Sequence, residues 1–217
     1  MATILESYDI ASPELGKSFK IDLADGLDGA HLDFIEAQWT PVLTRQYDLA
    51  LLGFFQLPAV DQTPEKWVET LGSFGVQDYR WNWRSKSAIA LGAKRRILAL
   101  LNVDEVEAAM MVLFGKTSRE PTTPLPIVYV DFLAVAPWNR KVVQFPQRFK
   151  NLGTVMLGEA VATSISMGLD GRCGLHSLPQ SEGFYRRIGM SDFGLDHAYS
   201  SLRYFEFNAQ VARQFVR

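Results

Sequence analysis

Apolar residues recur along this chain with two different periods, and each change of period marks an element. Ile4, Tyr8 and Ile10, then Phe19, Ile21 and Leu23, predict two short strands, with Asp25-Gly-Leu-Asp-Gly29 as a turn. From His31 to Phe55, Leu32, Ile35, Trp39, Val42 and Leu43 return at helical spacing, and a second apolar run begins at Leu49. Thr63 as N-cap and Pro64 at the first helical position open a helix over 64–71, which stops near Gly72 and Gly75. In Asp78-Tyr-Arg-Trp-Asn-Trp-Arg84 the two tryptophans stand two apart, as on one face of an extended segment that packs or walls a pocket. Residues 96–101 and 106–114 then read as a hairpin, and 116–126, with Pro121-Thr-Thr-Pro124, as a connector.

The second half alternates strand and helix. Ile127 to Pro137 is β-branched, aromatic and apolar nearly throughout, which predicts a central strand buried on both faces, with Asp131 as its one interruption. A helix follows from about 151–154 to Met167, with small residues along one side and Gly168 as C-cap. Gly171–Leu178 is a second strand, parallel to the first because a helix joins them. A short helix over 181–189, a strand over 202–207 and a terminal helix capped by Asn208 complete the chain.

Composition narrows the picture. The 217 residues suit one domain with a sizeable core, and 47% hydrophobic with 21% charged residues is ordinary for a soluble globular protein. A net charge of −2 gives no global positive field, so nucleic acid is not an expected partner. The single cysteine, Cys173, excludes an intramolecular disulfide and a multi-cysteine metal site, and no metal is expected. The start of the sequence lacks a basic region followed by an apolar run, and no apolar run nears the roughly 20 residues of a membrane span. The expected address is cytoplasmic, with no membrane partner.

Charge along the chain is uneven where it matters. No Asp or Glu falls between Phe132 and Gly158, whereas Arg140, Lys141, Arg148 and Lys150 do. Basic residues before a helix N-terminus, with Gly153 allowing close approach, read either as a solvated loop or as an anion site that takes a phosphate. Asp131 within an apolar strand must be paired, hydrogen-bonded or raised in pKa, and reads either as a satisfied structural carboxylate or as a general base.

Three motifs in order then carry a resemblance: Val135-Ala-Pro137, Arg148-Phe-Lys-Asn151-Leu-Gly153 opening a helix, and Phe184-Tyr185-Arg-Arg-Ile-Gly189-Met190. Together they resemble the GNAT superfamily of N-acetyltransferases over residues 85–207. Asn151 stands where the family carries its first loop glycine, an insertion separates Arg140 from Arg148, and Leu178 lies where an asparagine is common. The resemblance implies an α/β (α+β) fold: a mixed, mostly antiparallel sheet with a parallel strand pair around the cofactor and helices on both faces. It implies one domain over 1–217, in which 1–84 is variable and faces the substrate and 85–207 binds acetyl-CoA. It further implies direct acetyl transfer to an amine acceptor, with a homodimer among the assemblies open to it. The backbone of Leu133, Ala134 and Val135 would hold the pantetheine arm. The amides of Asn151, Leu152, Gly153 and Thr154, with Arg140 or Arg148, would hold the pyrophosphate. Tyr185 would protonate the departing thiolate. Asp131 is the first candidate for the base, Glu107 the second and His176 the third. A non-catalytic acyl-CoA-binding module and a toxin acting on charged tRNA are the alternatives, and the acidic balance counts against the toxin.

Overall fold

A computed structural model describes residues 2–90, 92, 94–119, 123–141 and 147–215. Eight strands form one sheet in the order β1-β2-β3-β4-β5-β6-β8-β7. They are β1 (Thr3–Ser12), β2 (Lys17–Asp25), β3 (Arg95–Asn102), β4 (Glu105–Thr117), β5 (Pro126–Val135), β6 (Cys173–Ser177), β7 (Ser191–Asp196) and β8 (Leu202–Phe207). Every neighbouring pair is antiparallel except β5 and β6, which run parallel because α5 (Leu152–Ser166) carries the chain between them. This is the mixed, mostly antiparallel sheet the sequence led us to expect. The first two strands extend the same sheet rather than forming a unit of their own.

Both faces of the central strands are covered, which is why those strands read as apolar throughout. On one face Leu98, Leu100, Met110, Val128 and Val130 pack against Leu152, Met156, Leu157 and Val161 of α5, with Tyr185 of α6 (Glu182–Arg187). On the other, Ala99, Leu101, Val106, Ala109 and Ala134 meet residues of α1 (Gly29–Phe34), α2 (Thr40–Phe55) and α4 (Trp83–Ile89). Between α1 and α2, five residues (Ile35–Trp39) form a π-helical turn, and Trp39 Nε1 donates to Val106 O at 3.0 Å. Helix α3 (Pro64–Ser73) begins where expected, with the Thr63 hydroxyl accepting from Lys66 N, and Asn208 caps α7 (Ala209–Phe215) through Val211 N at 2.9 Å. Among the described residues no helix is long and apolar enough to cross a membrane.

The structure corrects or adds to these expectations at three places. The segment 78–84 is not extended: Asn82 Oδ1 accepts from Ser85 N at 2.7 Å and starts α4 at Trp83, so the tryptophans diverge. Trp83 is buried in the core, while Trp81 meets Phe132 edge-to-face at 4.9 Å. The turn between β1 and β2, at residues 13–16, was not named from the sequence, while 25–29 is where β2 ends and α1 begins, with Asp28 as N-cap. Strand β7 was not expected, since Gly194 at φ 81 breaks its alternation and shifts its register on β8. Residues 120–122 of the connector and 142–146 of the basic insertion lie outside the described residues.

Candidate active site

The parallel pair holds together for only three rungs, Val128↔Cys173, Tyr129↔Gly174 and Val130↔Leu175. Beyond them β5 and β6 part. Asp131 sits at the parting as the extra residue of a β-bulge, since Met111 faces Phe132 and Val112 faces Val130. A bulge bends its strand and raises local twist, which is what separates parallel neighbours. The edge of β5 from Phe132 to Val135 therefore faces a gap instead of a strand. That gap is a cleft of about 500 Å³. Leu133, Ala134 and Val135 line one side of it, and Leu178, Gln180 and Ser181 beyond β6 line the other.

The N-terminus of α5 closes the cleft's end. Asn151 is its N-cap in the left-handed conformation, at φ 64. Asparagine is among the few non-glycine residues that adopt this conformation readily. Its carbonyl accepts from Val155 N at 3.0 Å, which starts the helix and leaves the amides of Leu152, Gly153 and Thr154 as orphan donors. All four residues line the cleft, as do the cations Lys141, Lys150 and Arg187. Among the described residues the lining contains one carboxylate, Asp78. Arg140 binds it through both nitrogens of its fork, at 2.6 and 2.8 Å. The cleft mouth is thus electropositive.

The two arginines of the insertion do other work. Arg140 lines the cleft, but its side chain is 9% exposed, clasped by Asp78 and donating from Nε and Nη2 to Val135 O at 3.1 Å. Arg148 does not line the cleft; its Nη1 pairs with Glu105 Oε2 at 2.6 Å and lies 3.0 Å from Glu107 Oε1. Among the described residues, the lining cations without an ion pair are Lys141 and Lys150, both part of the basic run read from the sequence, and Arg187, which was not picked out there. Arg140 also donates to Gly75 O, while Gln77 and Gln180 exchange backbone-to-side-chain hydrogen bonds at 3.2 and 2.8 Å. The segment Gly75–Asp78 therefore ties one lip of the cleft to the other.

Tyr185 lines the cleft from α6 and is 7% exposed. Burial, and then the neighbouring Cys173, push its hydroxyl well above the usual phenol value, so it keeps its proton at neutral pH. Its neighbour Phe184 packs at the helix entrance, where Gly153 would place a β-carbon 3.8 Å from Phe184 Cζ.

Neither carboxylate candidate lines the cleft. Glu107 is fully buried and, like Asp131, is the extra residue of a bulge, this one between β3 and β4. Its Oε2 accepts from Trp138 Nε1 at 2.8 Å and Asn139 Nδ2 at 2.6 Å, and Asn139 Oδ1 accepts from Phe149 N at 2.8 Å. Glu107 thus anchors both ends of the basic insertion. Desolvation raises its pKa, against the hydrogen bonds and Arg148, which lower it. Asp131 is half-buried and has no hydrogen bond or ion pair among the described residues; desolvation raises its pKa, opposed by Lys86, Arg95 and Lys116. His176 lies on β6, one residue past the last rung, and hydrogen-bonds Tyr129 and Asp196.

No protein-family model and no curated protein matches the sequence. Among solved structures, the chain is similar to a putative GNAT-family acetyltransferase from Desulfovibrio desulfuricans, at 13% identity over 87% of this chain and 99% of that one, with a TM-score of 0.49. It is also similar to the PaiA N-acetyltransferase of Thermoplasma acidophilum, solved with coenzyme A, at 13% identity over 86% and 97% of the two chains and a TM-score of 0.46. A KacTA–DNA complex is similar at 17% identity over 67% and 83%, with a TM-score of 0.42.

Proposed function

We propose that this protein is an acetyl-CoA-dependent N-acetyltransferase that moves an acetyl group directly to a primary amine of a small molecule or a protein. The observation that carries this reading is the parting of β5 from β6 above a basic helix N-terminus. An extended ligand with amides along its length pairs with a free strand edge as an added strand would, and pantetheine is such a ligand. Leu133, Ala134 and Val135 would hold it, with their backbone polarising the thioester carbonyl. The amides of Leu152, Gly153 and Thr154, entered through Asn151, would take the pyrophosphate, aided by Lys141, Lys150 and Arg187. Arg140 would act by holding Val135 and Asp78 in place, and Arg148 by fixing the insertion to Glu107.

Chemistry at the thioester needs a proton for the departing sulfur and a proton sink for the acceptor. Tyr185, neutral and inside the cleft, would supply the first. Asp131, bulged from the strand, half-buried and without an ion-pair partner among the described residues, would receive the acceptor's ammonium, directly or through water.

Calorimetric titration with acetyl-CoA, followed by a panel of primary amines with free thiol as the readout, tests this. Tight acetyl-CoA binding and amine-dependent thiol release are expected. Binding with no release on any amine would instead identify an acyl-CoA-binding module, and no binding would remove the reading. Tyr185→Phe is expected to keep acetyl-CoA affinity and lower kcat about 100-fold, the lower end of general-acid effects. Unchanged turnover would cancel its role.

A further inference from the structure

The face of the sheet opposite α5 carries an arrangement that the scheme above does not use. Val128, Val130, Cys173, Leu175, Phe205 and Phe207 all face α5. Strand alternation therefore turns Tyr129, His176, Tyr204 and Glu206 the other way. There Tyr129 Oη lies 2.7 Å from His176 Nδ1, and His176 Nε2 lies 2.9 Å from Asp196 Oδ2. Arg119 pairs with the same carboxylate, and Tyr199 stacks on the imidazole at 4.1 Å and 8°.

The direction of the hydrogen bonds follows from charge. Arg119 and His176 hold the Asp196 pKa down to about 2, so this carboxylate only accepts. His176 Nε2 must then carry the hydrogen, which leaves Nδ1 as acceptor for the Tyr129 hydroxyl. A proton arriving at Tyr129 Oη can pass on to Nδ1, where Asp196 stabilises the imidazolium. Tyr129 is on the middle rung, two residues before the Asp131 bulge, and His176 is one past the last rung; none of the three lines the cleft, so an acceptor would reach Tyr129 from the face opposite α5, next to the parting of the strands.

We propose that Tyr129, His176 and Asp196 form the proton relay for the acceptor amine, leaving Asp131 to hold the ammonium. This rests on the acetyl-transfer reading. The ammonium gives a proton to Tyr129 Oη as Tyr129 passes its own to His176 Nδ1. The neutral nitrogen bonds to the thioester carbon, the C–S bond breaks, and the thiolate takes a proton from Tyr185. The nitrogen's second proton restores Tyr185, and His176 returns the first to solvent. The groups facing His176 are Tyr129 of β5, Lys116 of β4, Arg119, Asp196 of β7, Tyr199 and Tyr204 of β8; behind them Asp131 acts on Tyr129 and Glu206 accepts from Tyr204. Burial, with Arg119 and Lys116, outweighs Asp196 and lowers the imidazole pKa, so the relay is in its accepting form at neutral pH.

The test follows CoA thiol release from acetyl-CoA with 2-phenylethylamine and with n-butylamine, from pH 5 to 9, in wild type and three variants. His176→Gln and Tyr129→Phe are expected to lower kcat about 100-fold and to abolish the acid limb of the kcat/KM profile, with acetyl-CoA affinity retained. Asp131→Asn is expected to raise the amine KM more than it lowers kcat. Tyr129→Phe keeps the ring, so it carries the test if His176→Gln fails to fold. Variants that turn over within twofold of wild type with an unchanged acid limb overturn the relay and leave acetyl transfer standing. No thiol release from wild type with these two amines or with any other of the primary-amine panel overturns the relay together with its premise.

Discussion

Asp131 stands where two demands on one side chain conflict. Its carboxyl is half-buried, and desolvation raises its pKa against three nearby cations. A carboxylate whose folded pKa is raised binds its proton more tightly folded than unfolded. Ionising it therefore costs folding free energy, a cost absent below the unfolded value of about 4 and present once pH has risen through the folded value. Asp131→Asn removes that cost. The variant is expected to melt higher than wild type at pH 8, with the gap closing as pH falls towards 4. A lower melting temperature at pH 8 would show instead that Lys86, Arg95 and Lys116 over-compensate burial. Little of this was legible in the sequence, where Asp131 and Glu107 are both single acids inside apolar runs. What separates them is the bulge each occupies and what each bulge faces. Glu107 meets the indole of Trp138 and the amide of Asn139, whereas Asp131 meets no hydrogen-bond donor among the described residues. A register shift leaves no trace in periodicity.

At the scale of elements, the strand–loop–helix unit from β5 to α5 was the most legible part. Its strand is apolar on both faces, its helix begins at a turn-forming residue, and the parallel pairing follows from the connecting helix. The cations were less so. Arg140 and Arg148 look equivalent to Lys141 and Lys150 in sequence, but the arginines find buried carboxylates that are distant along the chain, Asp78 and Glu107. Planar forks suit buried pairs, and hydrated lysines stay at the mouth. The Trp81–Trp83 spacing misled because a capping side chain, Asn82, outweighed a two-residue period. At the helix entrance, Asn151 holds φ 64. Asn151→Gly is expected to change stability by a few tenths of a kcal/mol at most, since glycine accepts this conformation freely. Asn151→Val should cost about 1–2 kcal/mol in denaturant unfolding and weaken acetyl-CoA binding as the first amides of α5 shift. Equal stability of the two variants would show that the turn relaxes.

Across the molecule, Gly75–Asp78 joins the helical side to both lips of the cleft. Its strongest tie is the Arg140–Asp78 pair, with side chains 9% and 6% exposed. Removing one partner strands a buried charge, so Asp78→Ala is expected to cost about 3–5 kcal/mol. The double variant Asp78→Ala, Arg140→Met should recover much of that loss. If the pair chiefly sets the spacing of the lips, acetyl-CoA affinity falls in both variants even where stability returns. Full recovery of affinity along with stability would make the pair structural alone.

The one thiol of the chain lies at the first β5–β6 rung, and Cys173 is wholly buried, with its pKa pushed up to about 12. Native protein should therefore stay silent towards a thiol-trapping dye, and every equivalent of colour in a turnover assay would come from coenzyme A. The same residue serves as a built-in clock for opening of the sheet. Under a pulse of dye, Cys173, which faces α5, labels only when α5 lifts from the sheet or β5 and β6 come apart, so its labelling rate reads the opening of the β5–α5–β6 unit. Acetyl-CoA bound between the strands should slow that rate in proportion to its occupancy, and equal rates with and without it would place the ligand elsewhere.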